Sequence, residues 1–554
     1  MALSDHLATD DLTVLLGLIA ASVFLLTNLY KPQPLVHPIL LGRQSDVGRV
    51  RNPGESAVHR NYATGLMGRL PTRPAKEVLT LIDLVKPEFD APRTLWSTKI
   101  SNTELRARAA AFGSGLLRAG LTRDSNVLLL LNDCVEFLIT DIALASHSIP
   151  SFTLSSPSLI SPVLDSHPPS GIIIDAAFLP HVLELIYDSN ELAHHVVVVL
   201  GEPDARTAQM ASKHIKLVRW DDVEAEGKQG QLLASPPPEP DTVFTVSFFE
   251  DNTGKLQAAQ LTHQNLTAGV TATRALLPLS NPMSPLDTIV SAHSLSTTFG
   301  RSIAYTALHE GTSFATLAST KQYSGEGAAT PGLQDLFSTK AYPLPSPTIL
   351  FIKPTHLTAL TSSITSESEK SFAFPMAWRQ KMAGIMDGYI TKEGLWDRLV
   401  FEGARTKVIG EGAGNLRGVV VAGDPGLDSD ALTPARITLS VPFVNARIHP
   451  VATAPIFASH PLDLQTFAPS SIAHVGPPVI NVEVKLREVN DGEVESGKDP
   501  VGKLFVRGPI VGKLLAEGED VEGKIEENEE VWVPTGLVAR AQTNGSFKVW
   551  APTK

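Results

Sequence analysis

The residues from Asn102 to Leu121, NTELRARAAAFGSGLLRAGL, place apolar side chains at helical spacing, and the helix is expected to stop at Gly120. The run SNVLLLLND follows, apolar and bounded by turn residues, and predicts a buried strand. CVEFLITDIALASHSIPSF returns to helical spacing. GIIID (171–175) and HVVVVLG (195–201) read as two more buried strands with helical sequence between them. This alternation predicts a largely parallel sheet covered by helices. After the proline-rich SPPPEP at 235–240 the pattern resumes in kind. LTAGVTATRALL reads as helix, TIVSAHSL as strand and GRSIAYTAL as helix, and TILFIKP and GVVVAGDPGL are strands leading into turns. From about residue 470 shorter strands take over (INVEVKLREV, GKLFVRGPI, EEVWVPTGLV, GSFKVW) and predict a β-rich lobe.

The N-terminus breaks this rhythm. LTVLLGLIAASVFLLTNLY, Leu12 to Tyr30, runs for 19 residues without a charge. As a helix it would span about 28 Å, close to the hydrocarbon thickness of a bilayer. Asp5, Asp10 and Asp11 precede it, where a cleaved signal peptide would carry positive charge. Lys31, Arg43, Arg49, Arg51 and Arg60 follow it, so the positive-inside rule puts the rest of the chain in the cytosol. A single-pass anchor is the expectation, with a buried core helix as the rival reading. The expected organisation is an anchor over 1–31, a juxtamembrane wrapping segment over 32–100, a first α/β subdomain over 101–240, a second over 241–465, and the β-rich lobe over 466–554.

Composition narrows the function classes. The chain has 554 residues, 43% hydrophobic and 19% charged, an ordinary globular balance. A net charge of -12 with no long basic run argues against nucleic acid as a partner. The one cysteine, Cys134, excludes an internal disulfide and any cysteine-rich zinc site.

Several stretches, in order, resemble the large N-terminal domain of the AMP-forming acyl-CoA synthetases, and within that superfamily the long-chain fatty-acid branch. GSGLLRAGLTRDSNVLLLLNDCVEF resembles the entry helix, strand and helix. TGKLQAAQLTHQNL resembles the phosphate loop and the helix after it. WDRLVFEGARTKVIGEGAGNLRGVVVAGDPGL resembles the segment leading to the adenine-binding turn, and HVGPPVINVEVKLREV, GKLFVRGP and WVPTG the late motifs. The resemblance implies an α/β fold with two parallel βαβ subdomains plus the β-rich lobe, here with one N-terminal transmembrane helix. It also implies ATP, Mg²⁺ and CoA as cofactors of an active member, and a fatty acid or acyl-CoA as ligand.

The same resemblance exposes losses. The family loop reads roughly Tyr-Thr-Ser-Gly-Thr-Thr-Gly-x-Pro-Lys-Gly. Here Thr253 and Gly254 survive, while Glu250 stands for the serine, Asp251 for the first glycine and Gln257 for the lysine. Lys255 could substitute only if the loop shifts by two residues. Two carboxylates facing a triphosphate would repel it, and the more ordinary reading is that Glu250 and Asp251 cap a surface turn. In HSLSTTFGR, Phe299 and Arg301 are retained, but Thr297 replaces the histidine and Gly300 the glutamate. Gly423 to Leu427 take the place of the adenine-binding turn, and His449 to Thr453 that of the Tyr-Gly-x-Thr-Glu motif. Thr535 and Gly536 remain of Thr-Gly-Asp, with Leu537 in place of the ribose carboxylate. Pro552 occupies the hinge arginine position, and the family's small C-terminal domain with its lysine is expected to be missing. The degenerate nucleotide site is therefore Thr253, Gly254, Gly423, Thr535 and Gly536, with no metal ligand and no catalytic residue except Lys255 under a ligase reading. Two functions stay open. One is a membrane-anchored pseudoenzyme on the endoplasmic reticulum or a lipid droplet, binding acyl chains or pairing with an active synthetase. The other is a working long-chain fatty-acid–CoA ligase. A truncated gene product is a third reading of the C-terminus.

Overall fold

The computed structural model describes residues 11–29, 33–62, 72–87, 91–187, 196–211, 216–324, 329–423, 425–466, 472–515, 521 and 531–552. Local rules set the first long helix of the body. Ser101 caps Asn102–Ala119 by accepting from Glu104 N at 3.2 Å, and Gly120 ends it in the left-handed region at φ 112°. A serine hydroxyl and a glycine without Cβ suit those two positions.

The strands then assemble into two eight-stranded sheets. The first runs Lys513–Leu514, Leu256–Thr262, Val243–Glu250, Ser151–Leu154, Val127–Leu130, Gly171–Asp175, Val196–Leu200, Lys216–Arg219. Its pairs are parallel from Val243–Glu250 onward and antiparallel on the other side. The second runs Phe457–Ala458, Phe443–Arg447, Gly418–Ala422, Ile349–Ile352, Thr288–Ser291, Ser313–Thr316, Arg93–Leu95, Thr98–Ile100, antiparallel only at its two ends. A third sheet of six antiparallel strands forms the β-rich lobe.

Alternation along each strand decides the layering, because successive side chains point to opposite faces. Val127 and Leu129 join one central core with Ile349 and Phe351 of the other sheet. Leu128 and Leu130 face a separate outer core, and Leu350 and Ile352 face another. The helices Val135–Ser146, His263–Arg274 and Thr298–Glu310 supply the central core, so they lie between the two sheets.

Three expectations change. The boundary expected at residue 240 moves, because strands Val243–Glu250 and Leu256–Thr262 complete the first sheet rather than opening the second. Their partners are Ser151–Leu154 and Lys513–Leu514, a long-range pairing that no local pattern encodes. The segment 32–100 wraps further than a juxtamembrane tether would. It gives strands Ser45–Val47 and His59–Asn61 to the lobe and Arg93–Leu95 and Thr98–Ile100 to the second sheet. Glu55 fastens it, accepting from Lys485 Nζ at 2.9 Å and Arg487 Nε at 3.0 Å. Finally, the N-terminal apolar run does form a helix, Asp11–Leu29, with Leu12, Leu15, Leu16, Leu18 and Phe24 exposed. Among the described residues, however, no helix is long and apolar enough to cross a membrane.

The central layer holds a buried ionic cross-link. Arg301, on the helix Thr298–Glu310, lies 3.4 Å from Asp141 on Val135–Ser146, and both are almost fully buried. Tyr305 Oη donates to Asp141 Oδ2 at 2.8 Å, and Arg301 Nε donates to Leu295 O at 3.0 Å. The guanidinium also lies over the rings of Phe137 and Phe244. Removing one partner leaves an uncompensated charge in the core. Asp141→Asn is therefore expected to cost about 3–5 kcal/mol in urea unfolding, whereas the double replacement Asp141→Leu/Arg301→Met should recover most of it. A single variant within about 0.5 kcal/mol of the parent would show that the pair does not matter.

Candidate functional site

The candidate site begins at the hairpin between Val243–Glu250 and Leu256–Thr262. Glu250 pairs with Leu256 and Phe249 with Gln257, so the connection is the five residues Asp251–Lys255. Asp251 organises it. Its Oδ1 accepts from Thr253 N at 2.8 Å, Thr253 Oγ1 at 2.6 Å and Lys255 N at 3.0 Å. Gly254, at φ 83°, makes the left-handed step that closes the turn, and its N–H donates to Asp251 O at 3.0 Å. The Asp251 carboxyl loses some solvation, yet the hydrogen bonds from Thr253 and Lys255 and the Lys255 charge hold its pKa below the usual value. The loop's donors thus converge on an anion the chain itself supplies. Gln257 stands in the strand ladder opposite Phe249, not in the turn.

One other expected site residue, Gly536, meets this loop. Asn252 Nδ2 donates to Gly536 O at 2.7 Å. Gly536 adopts φ 68°, and Thr535 beside it is buried with Oγ1 donating to Leu504 O at 2.9 Å. Leu537, in the position of the ribose carboxylate, is buried. His449 packs edge-on against Phe249 with ring centroids 5.7 Å apart. Thr453 is buried and donates to Asn265 O at 2.6 Å. Gly423 belongs to the other sheet, at the carboxyl end of Gly418–Ala422, where its O accepts from Arg447 Nη1 at 3.3 Å. Asp424 lies outside the described residues.

The HSLSTTFGR stretch is recast as a helix start. Thr297 caps Thr298–Glu310 by accepting from Gly300 N at 3.2 Å. A Cβ on Gly300 would overlap Ser294 O, so no glutamate fits there in this backbone. His293 is buried against Phe299, and burial pushes its pKa down to about 3, leaving it neutral.

Sequence reading missed a polar cluster nearby. Asp133 Oδ1 accepts from Ser294 Oγ and Leu295 N, each at 2.9 Å, and burial pushes its pKa up to about 6. His356 and Asp335 form a buried 2.8 Å contact beside Lys353, whose pKa burial lowers. The visible signals were a carboxylate directly after an apolar strand at Asn132–Asp133 and a lysine closing TILFIKP.

The profile of the AMP-binding enzyme family matches residues 86–514, most of the chain. The chain belongs to the AMP-binding enzyme family. It is 24% identical over 462 residues to long-chain-fatty-acid–CoA ligase 5 of Rattus norvegicus, covering 81% of this chain and 63% of that one. It is also 24% identical over 457 residues to the peroxisomal long chain acyl-CoA synthetase 7 of Arabidopsis thaliana, covering 80% and 60%. The chain thus spans less than two thirds of the length of these curated relatives. Among solved structures it resembles an anthranilate CoA ligase in complex with anthranoyl-AMP, with TM-score 0.60 and 15% identity over 87% of this chain and 78% of that one. It also resembles a long-chain-fatty-acid-CoA ligase from Archaeoglobus fulgidus, with TM-score 0.59 and 14% identity over 86% and 85%. The fold is therefore the α/β acyl-CoA-synthetase fold.

An AMP-binding family member of this fold would be expected to hold ATP with Mg²⁺. The groups present do not fit the triphosphate. The Thr253 amide and hydroxyl and the Lys255 amide all point at Asp251. Glu250 adds a second, exposed acidic residue at the loop's edge. Among the described residues no cluster of three His, Cys, Asp or Glu could hold a metal ion.

Two outcomes follow for this region. Restoring the glutamate by Gly300→Glu should lower unfolding free energy by about 3 kcal/mol or more through overpacking, read by urea denaturation; an unchanged midpoint would mean the backbone yields freely. The buried imidazoles also set an acid limit. Burial lowers the pKa of His59 to about 4 and those of His263, His293 and His309 to about 3. Below the unfolded value near 6.5 the unfolded chain binds these four protons and the native chain does not, so their contribution is lost as pH falls. Asp133 opposes with one proton, being native-protonated below about 6. The net of about three protons predicts stability falling by up to about 4 kcal/mol per pH unit between about pH 5.5 and 4.5. Urea titrations across that range that stay flat would contradict it.

Proposed function

We propose that this AMP-binding family protein is a membrane-anchored, acyl-CoA-synthetase-like pseudoenzyme, impaired in adenylation and serving fatty-acid metabolism by binding acyl chains or by pairing with an active synthetase. One observation carries the reading. Asp251 accepts the two amides and the hydroxyl that a phosphate would need, so a nucleotide must displace an internal carboxylate and then sit beside it. Gln257 in the ladder, Gly300 under Ser294 and buried Leu537 support the same reading. Losing one preorganised electrostatic contact commonly costs about 3–4 kcal/mol in the transition state.

The exposed apolar helix Asp11–Leu29 supports membrane attachment. The basic residues after it favour a cytosolic body, with the endoplasmic reticulum or a lipid droplet as the membrane. The names of the curated relatives favour a second reading, an active long-chain fatty-acid–CoA ligase using ATP and CoA. That reading requires the 251–255 turn to reopen, with Lys255 taking the phosphates.

Calorimetric titration separates the two. The native protein should give no saturable heat with Mg·ATP up to about 1 mM, should bind a long-chain acyl-CoA, and should catalyse no pyrophosphate exchange with palmitate. Asp251→Gly should strengthen Mg·ATP binding by about tenfold or more, because each charge-assisted bond released to the ligand contributes about 1.5–3 kcal/mol. Pyrophosphate exchange by the native protein, abolished by Lys255→Ala, would establish the ligase reading instead.

A further inference from the structure

The helix Phe374–Met386 is apolar on both of its sides. Its inner face is fixed. Ala377 and Ile385 are buried with Phe401, Ile437 and Leu464, and Phe374 lies 6.2 Å from the ring of Phe401. Lys381 reaches inward to Asp397, which also pairs with Arg405, and its Nζ donates to Thr391 O at 2.8 Å. With the inner face pinned by packing and a buried ion pair, the rotation of the helix is set. Met376, Arg379, Ala383 and Met386 then fall on the opposite side at intervals of three and four residues, one helical stripe, and Phe372 sits in the turn just before the helix. Phe372 is 100% exposed, Met376 64% and Met386 67%. The neighbouring π-helical turn Asp397–Phe401 and the residues before it add Leu395 at 67% and Leu399 at 62%. Single exposed apolar residues are ordinary, but a contiguous set marks an interaction surface.

The N-terminal segment arrives at this same place. Leu35 N donates to Gly388 O at 2.9 Å, two residues beyond the end of the helix. Gly388 takes φ 74°, and a Cβ there would press on Pro34 at 3.1 Å. Ile39 and Leu40, which follow, are 74% and 64% exposed. The apolar helix Asp11–Leu29 ends four residues before the described chain resumes at 33. Four extended residues reach at most about 14 Å, so that helix must leave the body beside this patch. The patch also carries exposed Arg379 and Arg398 among its apolar side chains, with exposed Lys370 before it and the exposed acids Glu369, Asp387, Glu393 and Glu402 nearby in sequence. Apolar side chains interleaved with arginines suit an interface of acyl chains and anionic headgroups.

We infer that the outward face of Phe374–Met386, with Leu395, Leu399 and the segment 35–40, lies on an anionic bilayer beside the N-terminal helix. This surface rests on the membrane attachment proposed above, and it orients the body: the helix Phe374–Met386 lies in the membrane plane. The body would then be held at two points rather than swinging from one.

The test uses the full chain in vesicles of phosphatidylcholine and phosphatidylserine. In a Cys134→Ser background, Met376→Cys and, separately, Glu202→Cys carry an environment-sensitive fluorophore. Serine is a stronger helix cap than cysteine where Cys134 precedes Val135–Ser146, and Glu202 is a highly exposed control on the first subdomain. The expected result is a vesicle-dependent blue shift at position 376 with loss of emission when brominated lipid is present, and neither change at 202. If the chain floats with vesicles while the label at 376 reports water, the surface is wrong and the attachment stands. If the chain does not float, both are wrong. A blue shift at 376 without vesicles that rises with protein concentration would assign the face to a second copy and overturn the bilayer. As a second reading, Phe372→Glu/Met376→Glu/Met386→Glu, all at exposed positions, should weaken vesicle partitioning by at least about tenfold; unchanged partitioning together with a wet label at 376 would reject the surface.

Discussion

Two sheets are held against one another by an ion pair that water does not reach. Arg301 and Asp141 come from two different helices of the central layer, 160 residues apart in sequence by their numbers, and each would be intolerable in the core without the other. Their geometry leaves little freedom nearby. The Arg301 side chain bonds back to Leu295 O, which fixes where the helix Thr298–Glu310 begins. Thr297 then becomes its cap, and Gly300 must stay small because Ser294 O lies where a side chain would start. Arg301 is a residue the superfamily motif retains, yet here its contacts are those of a cross-link between layers. A motif residue can therefore persist for packing after its neighbours have changed.

The loop at 251–255 shows the same trade at the surface. A phosphate-binding turn normally presents unpaired donors, which is a cost to the empty protein. Asp251 removes that cost by satisfying two amides and a hydroxyl from within, and Asn252 ties the turn to Gly536. The result is a turn that is complete without ligand. Stability and readiness for an anion pull in opposite directions at one carboxylate, as they do at many active sites.

Much of this was readable from residue order because it is local. The stop at Gly120, the apolar strands Val127–Leu130 and Gly171–Asp175, and an acidic residue capping a turn at 251 each follow from interactions spanning a few residues. What pattern could not supply is long-range. Strands such as Ser45–Val47 and His59–Asn61 are three residues each and exist only because His59–Asn61 pairs with Glu483–Arg487 and Ser45–Val47 pairs in turn with His59–Asn61. The hairpin at 243–262 belongs to the first sheet because its parallel partner is the distant strand Ser151–Leu154. The polar cluster of Asp133, Ser294, Asp335, Lys353 and His356 has no sequence signature because four separate segments supply it and no spacing links those segments. Gly423 follows the strand Gly418–Ala422 of the second sheet, as the apolar run leading into a turn predicts.

The exposed stripe of Phe374–Met386 belongs to a different physical category from either case. Core residues answer to the interior and loop residues to their own hydrogen bonds, whereas Phe372 and Met376 stay exposed, as does most of Met386 although Thr466 Oγ1 lies 3.6 Å from its sulfur. Their inner counterparts are held by Lys381, Asp397 and Arg405, so the stripe cannot be relieved by rotating the helix. A buried ionic network that fixes an apolar face outward spends stability on orientation, which is reasonable only where something apolar meets that face. The chain leaves the apolar N-terminal helix within reach of it, and under the proposed membrane attachment both surfaces would meet one bilayer.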